Sequence, residues 1–513
     1  MSLQNATIAA NRFGFGARPG DLSAIAKDPR DWLLAQLSPV QRLPAPLRDL
    51  PPSHEDLLYE PLASAQREVY RRFDQQGRKN TGAMLDAQAL SKAQRREEAR
   101  RAQAASEARL AVAVGTDSPF RERLVHFWSN HFSVSGTSRA MRLLPPAFER
   151  DVVRPRVTGS FADLLRAATQ HPAMQRYLDN HHSVGPSSYY AEHPQAYAHA
   201  RSGPRRKTLG LNENHAREIL ELHTVGVGGG YDQDDVEQFA RALTGWGVRE
   251  VLGTRDERRA RLRAIASDAN PLDALAKDLA SLRDNYRKAD WTTLFYFDAR
   301  AHEPGAVDVL GKRYAHGGVA QAQAILDDLA THPSTADFIA TKLCTHFIAD
   351  APPGPAVARV ARAFRKSDGD LTATYRALLL ECPQAWDGAP RKFKRPEEYL
   401  VSVLRALEVP PTELRPFVRA IRVMGQGLYL APGPDGWSDL EAHWASPDGV
   451  WKRMEWASRL AERTASATRE VGQLGAQVLG SAYSKTLARS VASASSPAQA
   501  LSLLLLCPEF MRR

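Results

Sequence analysis

The chain has 513 residues, 68 Lys and Arg against 58 Asp and Glu for a net charge of +10, and 43% hydrophobic residues. That apolar share excludes disorder over most of the length, and no apolar run approaches the ~18 residues a membrane-spanning helix needs. Cys344, Cys382 and Cys507 are far apart, without the paired spacing of a zinc ribbon or a dithiol redox motif.

From the N-terminus, Met1–Ala10 has neither a basic stretch nor an apolar core of signal-peptide length, so the expectation is a cytoplasmic location. Pro29–Leu37 opens with a proline and sets Leu33, Leu34 and Leu37 on one helical face. A long helical stretch follows from about 55 to 114, with breaks expected near Gly77 and Gly82. Residues 67–109 carry eleven Lys/Arg against six Asp/Glu. Because Arg95, Arg96, Arg100 and Arg101 alternate with Glu97 and Glu98 at helical spacing, this reads as a solvated face of ion pairs, and nucleic-acid binding is not the expectation.

A helix from Pro119 to Phe132 comes next, then a loop over 180–208 that holds His181, His182, His193 and His199. Helices over 213–225 and 233–244 follow, the second capped by Asp232 and Asp235. Residues 253–290 read as a helical insertion. Its Leu272, Leu275, Leu279, Leu282 and Tyr286 form one apolar seam, for intramolecular packing or for a protein partner. Thr292–Phe297 is the one β-like run, and helices dominate to the end. The fold class is therefore all-α, a multi-helix array with at most a small β-hairpin. It divides into an N-terminal helical region over 1–252, the insertion over 253–290, and a C-terminal helical region over 291–513 that packs with the first.

Phosphate loops, HExxH, GxSxG elbows and EF-hand loops are all missing from the sequence. What remains is a polar set on apolar helices. His126 and Asn130 share a helical face, and His131 lies about 140° farther round. On the 213–225 helix, Asn214, Glu218 and Glu221 form a polar arc opposite Ile219 and His223. Buried imidazoles and carboxylates from separate helices suit a divalent transition metal, with haem as the second choice. His126, His131 and His223 are the candidate ligands. Glu218 or Glu221 is the candidate general base or further ligand, and Asn130 orients substrate. The alternative is a core polar network in which these groups satisfy helix ends and one another. Asn212 fits a cap, Asp179-Asn180 fits a helix terminator, and His302 sits in a turn where its imidazole is open to a ligand.

The words Asn11–Gly16, His126–Phe132, Tyr177–Asn180, Leu211–Val227, Ala240–Trp246, Phe297-Asp298 with His302, and Met424–Gln426 with Gly436-Trp437 resemble a bacterial family named domain of unknown function 1800. They follow family order over almost the whole chain, which implies a single helical architecture. The resemblance implies that Asp179, Asn180, Asn212, Trp246 and His302 belong with the His126–His131 and Glu213–His223 words as candidate substrate contacts. Many members look exported, and the family's activity is not established. Ser129 stands where members often carry another histidine, which weakens the metal reading. The leading expectation is a metal-dependent enzyme, hydrolytic or oxidative, with its His/Glu/Asn site between helices. The competing one is a non-enzymatic helical scaffold.

Overall fold

The computed structural model describes residues 2–38, 42–75, 81–200, 210–249, 253–268, 271–286, 290–315, 317–388, 392–464 and 470–513. The long basic stretch forms two antiparallel-packed helices, Ser53–Gln75 and Thr81–Gly115. Arg100 and Arg101 both bind Glu97 on the second of these, the solvated pairing that the interleaved charges imply. Further on, Pro333–Phe347, Gly354–Lys366 and Leu371–Leu380 pack in succession. His332 caps the first and Asp370 the third, each accepting backbone N–H bonds at the helix start. Asp232 and Asp235 close a reciprocal capping box on Gln233–Leu243.

The architecture is all-α, with two small antiparallel two-stranded sheets among the described residues. In one, Trp246 pairs with Phe297 and Val248 with Phe295. The run Thr292–Phe297 is thus only half a strand. Asp290 accepts from the amides of Thr292 and Thr293 and starts a short helix, Trp291–Leu294, before the chain extends. In the other sheet, Val307–Val309 returns as Lys312–Tyr314 through Leu310 and Gly311, both at positive φ (51° and 71°). That conformation matches the right-handed twist of a two-residue hairpin.

Two large apolar cores hold most of these elements, with two small satellite clusters around Leu47 and Val184. The larger takes residues from Ala6 to Ala385, so the segments 1–252 and 291–385 share one interior. The second joins Phe15 and the end of Thr81–Gly115 to residues 399–510. Within 253–290, the helices Arg255–Ser267 and Pro271–Asn285 pack on each other and on Ser53–Gln75. Leu262, Ile265 and Leu282 are buried in the larger core, and Tyr286 packs against it. Of the seam, Leu282 and Tyr286 thus face their own chain, whereas the side chains of Leu272, Leu275 and Leu279 lie outside the described residues.

The helix Pro396–Ala406 is buried along its whole length and is clasped by the chain's last residues. Phe393 bridges to Arg512, and the amides of Lys392 and Lys394 donate to the carbonyls of Arg513 and Met511. Arg513 and Arg123 both bind the buried Glu398 carboxylate at 3.0 Å. Lys394 is buried above the Phe510 ring, 4.7 Å from its centre, and burial pushes its ammonium down to about 7 despite the pull of Glu398. An unfolded Lys titrates near ~10.4, so above pH 7 the unfolded chain binds more protons and stability rises with pH. Lys394→Met should raise stability at pH 7 by about 1–3 kcal/mol, because a costly buried charge is removed. Urea unfolding at pH 7 and pH 9.5 checks this: the wild type should close the gap to the variant at the higher pH.

Candidate functional site

The site grows from one buried helix, Pro119–His131. Glu122, His126 and Ser129 step by four and three residues and so share a face. That face meets the π-helical turn Glu149–Val153 and the first turn of Pro396–Ala406. There the charges interlock. Arg154 donates to both oxygens of Glu122, at 2.8 and 2.6 Å, and to Glu149 Oε1 at 2.8 Å. Arg109 donates to Glu149 Oε2 at 2.5 Å and to Glu397 Oε1 at 3.0 Å. Burial by itself would raise Glu122 and Glu149, yet Arg154 and His126 hold the first well below its ordinary value, and Arg109, Arg154 and His126 lower the second.

A pocket opens beside this lattice, walled by Arg109, His126, Ser129, Glu149, Arg395, Glu397, Tyr429 and Trp437 among others. It offers about 50 Å³ to the centres of water-sized molecules, room for a few waters or one small polar group. His126 stands between two carboxylates, with Nε2 3.4 Å from Glu122 and Nδ1 3.5 Å from Glu397. Nε2 is nevertheless buried with no hydrogen-bond partner. Ser129 donates to Glu149 at 3.1 Å, and Gln426 accepts from the Glu397 amide at 2.9 Å. Tyr429 sits at φ 60°, a costly conformation for a bulky residue. It is held there by the Gly136 amide on its carbonyl and by Arg109 over its ring.

The structure separates the expected ligand set. His131 faces the opposite side of the helix, among Trp128, Phe132 and Phe161, and its Nε2 donates to the His223 carbonyl at 3.1 Å. Burial, then Lys342 and His223, lower it well below its ordinary value, while burial, His215 and Lys342 do the same for His223. Both are neutral rings of an aromatic interior. Among the described residues no group of three metal-ligating side chains includes His126, His131 or His223. Nor does the lattice suit a metal, since guanidinium groups already occupy its carboxylates.

The remaining candidates fall into other roles. Asn130 borders the pocket with both ends of its amide committed: Nδ2 donates to Trp437 O at 2.9 Å, and Oδ1 accepts from Trp437 N at 2.8 Å. It anchors a loop instead of presenting its amide to substrate. Glu218 and Glu221 are half-buried outside the pocket wall, and burial, Glu221 and Asp435 raise Glu218. Asn180 is wholly buried, its Nδ2 within reach of Gln175 Oε1 and the carbonyls of Leu243 and Trp246. Asn212 accepts from the Asn214 amide and donates to the carbonyl of the exposed Asp179. Trp246 is buried in its strand against Phe295. His302 is not open to a ligand. It is 8% exposed, Nδ1 donates to Thr244 O, and Nε2 accepts from Gly318 N, both at 2.9 Å.

Sequence reasoning missed Arg109, Glu149, Arg395, Glu397 and Tyr429, which come from separate stretches of chain. Besides His126 and Asn130, the words Met424–Gln426 and Gly436-Trp437 were legible hints, since Gln426 and Trp437 both line the pocket. Glu149→Ala would leave two buried guanidinium groups short of a partner and should cost about 3–5 kcal/mol. Glu149→Gln, which keeps acceptors for Arg109 and Ser129, should cost less; urea midpoints of the two variants test the order.

No curated protein and no solved structure matches the chain. The model of the family described as "Protein of unknown function (DUF1800)" matches residues 8–512, so the chain, with its pocket and both cores, belongs to that family.

Proposed function

We propose that this protein is an enzyme that transfers protons with His126 in the pocket beside the Arg109–Glu149–Glu397 lattice, acting on a small polar substrate that bears an anionic group. The observation that supports this most is the state of His126. Its ring lines a cavity and is flanked by Glu122 and Glu397 at 3.4 and 3.5 Å, close enough to feel both charges but outside good hydrogen-bond geometry at Nε2. A buried imidazole normally finds a partner; one left poised between carboxylates at a cavity is suited to accept or release a proton.

The lattice serves that chemistry by staying fixed. Arg109 and Arg154 are each bound to two carboxylates, so the charges around His126 need not reorganise when a proton moves. Arg395 supplies the anion preference. It lines the pocket, is buried, and lies 3.5 Å from Glu398 and 3.7 Å from Asp439 without a hydrogen bond from its Nε. Those contacts are longer than hydrogen bonds, so an incoming carboxylate or phosphate oxygen would compete with Glu398 and Asp439 for its guanidinium. Trp437, fastened by Asn130, closes one side and limits water.

The test is untargeted turnover. Purified protein and the His126→Gln variant are incubated with a mixture of small carboxylates and phosphoesters, and consumption is followed by mass spectrometry. At least one anion should be consumed by the wild type, with the rate falling about a hundredfold or more in His126→Gln, the contribution typical of a general acid–base. Arg395→Met should raise KM for that substrate more than it lowers kcat. Equal turnover by folded wild type and His126→Gln would remove His126 from the chemistry.

A further inference from the structure

A second constellation lies outside the pocket, on the turn that follows the helix Pro172–Tyr177. The chain passes Leu178 and turns at Asp179, whose φ of 57° is left-handed, then makes a single 3-10 turn, Asn180–His182. Asp tolerates that conformation better than most residues but does not prefer it. The surroundings impose it. Asn180 is plugged into the interior by Gln175, Leu243 and Trp246, and Asn212 holds the Asp179 carbonyl at 3.2 Å. Ser183 accepts from the Asn212 amide at 3.0 Å.

With Asn180 turned inward, its neighbours face the other way together. The rings of His181 and His182 lie side by side, 3.8 Å between centres. One ring nitrogen from each and one carboxylate oxygen of Asp179 all fall within 4.8 Å of one another, and among the described residues no other such group of three exists. Ligands at ~2.0–2.2 Å from a shared tetrahedral ion sit ~3.3–3.6 Å apart, so small rotamer changes bring the three together. The His181 Nδ1 donates to the Gln175 carbonyl at 3.0 Å, which fixes the tautomer and the ring's orientation, as a second hydrogen bond does for many histidine ligands. Asp179 is exposed and both histidines are half-buried, so an ion can reach them from solvent.

We infer that Asp179, His181 and His182 form a binding site for a divalent first-row transition metal ion. Two imidazoles and one carboxylate suit zinc, iron(II) or cobalt(II), and three protein ligands leave positions open to water or to a bound molecule. None of the three residues lines the His126 pocket, so this inference does not rest on the acid–base reading above.

The experiment uses the full chain, stripped with chelator and titrated with Zn²⁺ by calorimetry and with Co²⁺ by visible absorption. One ion per chain should bind with Kd of about 1 μM or tighter, and Co²⁺ should give the intense visible bands of a low-coordinate site. His181→Asn with His182→Asn should weaken binding by more than the tenfold to hundredfold that loss of an outer-shell partner alone costs. His193→Ala, at an exposed histidine outside the group, should leave binding unchanged. If the double variant does not fold, hyperfine-shifted imidazole N–H signals in the Co²⁺-loaded wild type give an independent readout, with two histidines expected. Absence of stoichiometric binding tighter than about 50 μM, equal binding by the folded double variant, or absence of imidazole signals would each overturn the site.

Discussion

A buried helix must match most of the polar groups it carries, and Pro119–His131 does so by binding a different stretch of the chain at successive steps, with His126 Nε2 and His131 Nδ1 left unmatched. Glu122 holds Arg154, while Arg123 reaches Gly14 O, Glu398 and His346 Nε2. Phe127, Trp128 and His131 fill the aromatic interior. Asn130 clamps Trp437, 307 residues away in sequence. Removing one member of such a set costs far more than the pair is worth in isolation, because the partner's charge is stranded in a medium of low dielectric. The helix therefore fixes the relative positions of the two cores, and with them the pocket between Arg109, Glu149 and Glu397.

That constraint also decides what each histidine can do. His346 donates through Nδ1 to Asp439 and accepts from Arg123 at Nε2, a fully used neutral ring that burial takes down to about 3. His131 and His223 are neutral by desolvation, and His302 is a staple between two backbone groups. His126 differs because it borders a cavity and faces carboxylates it does not bind with hydrogen-bond geometry. Residue type and helical spacing are shared by these rings, so surroundings alone separate the chemistry-bearing one from the structural ones.

The long helices were legible in the sequence because their information is local. Capping residues such as Asp232 and Asp370, the Ala- and Arg-rich composition and the 3.6-residue apolar period all act within a few positions. The side-chain directions along 213–225 were only partly legible. His223 is buried and Glu218 is not, as 100° per residue implies, but the helix changes to a π-helical turn over Ile219–His223. Extra residues in a turn rotate everything beyond it, and no local signal marks where this happens. The pocket was least legible. His126 and Asn130 announced it, but Glu149 and Glu397 acquire meaning only through Arg109, 40 and 288 positions away from them respectively. The same holds for His181 and His182, which in sequence are two polar residues of a loop. They become a convergent pair only because Asn180, between them and Asp179, is drawn into the interior.

The positive charge also changes meaning once its location is known. A surplus of +10 suggests a polyanion-binding face when the cations are on the surface. Here Arg12, Arg109, Arg123, Arg150, Arg154, Arg395, Arg405, Arg453 and Arg513 are all buried, together with Lys392 and Lys394. Several spend their donors on main-chain oxygens: Arg405 on Gly16, Val114 and Thr116, Arg12 on Ala385, Arg513 on His346. Arg453 lies over the rings of Phe393 and Tyr399. Carbonyl oxygens and aromatic faces stabilise a guanidinium without adding a negative charge. Among the described residues these eleven buried cations face eight buried carboxylates, Asp56, Glu98, Glu122, Glu149, Asp298, Glu303, Glu397 and Glu398, so a part of the surplus lies in the interior, while Arg100 and Arg101 of the basic helix pair with Glu97. That part of the basic composition is a record of how distant segments are joined, through arginines bound to carbonyl oxygens and aromatic faces.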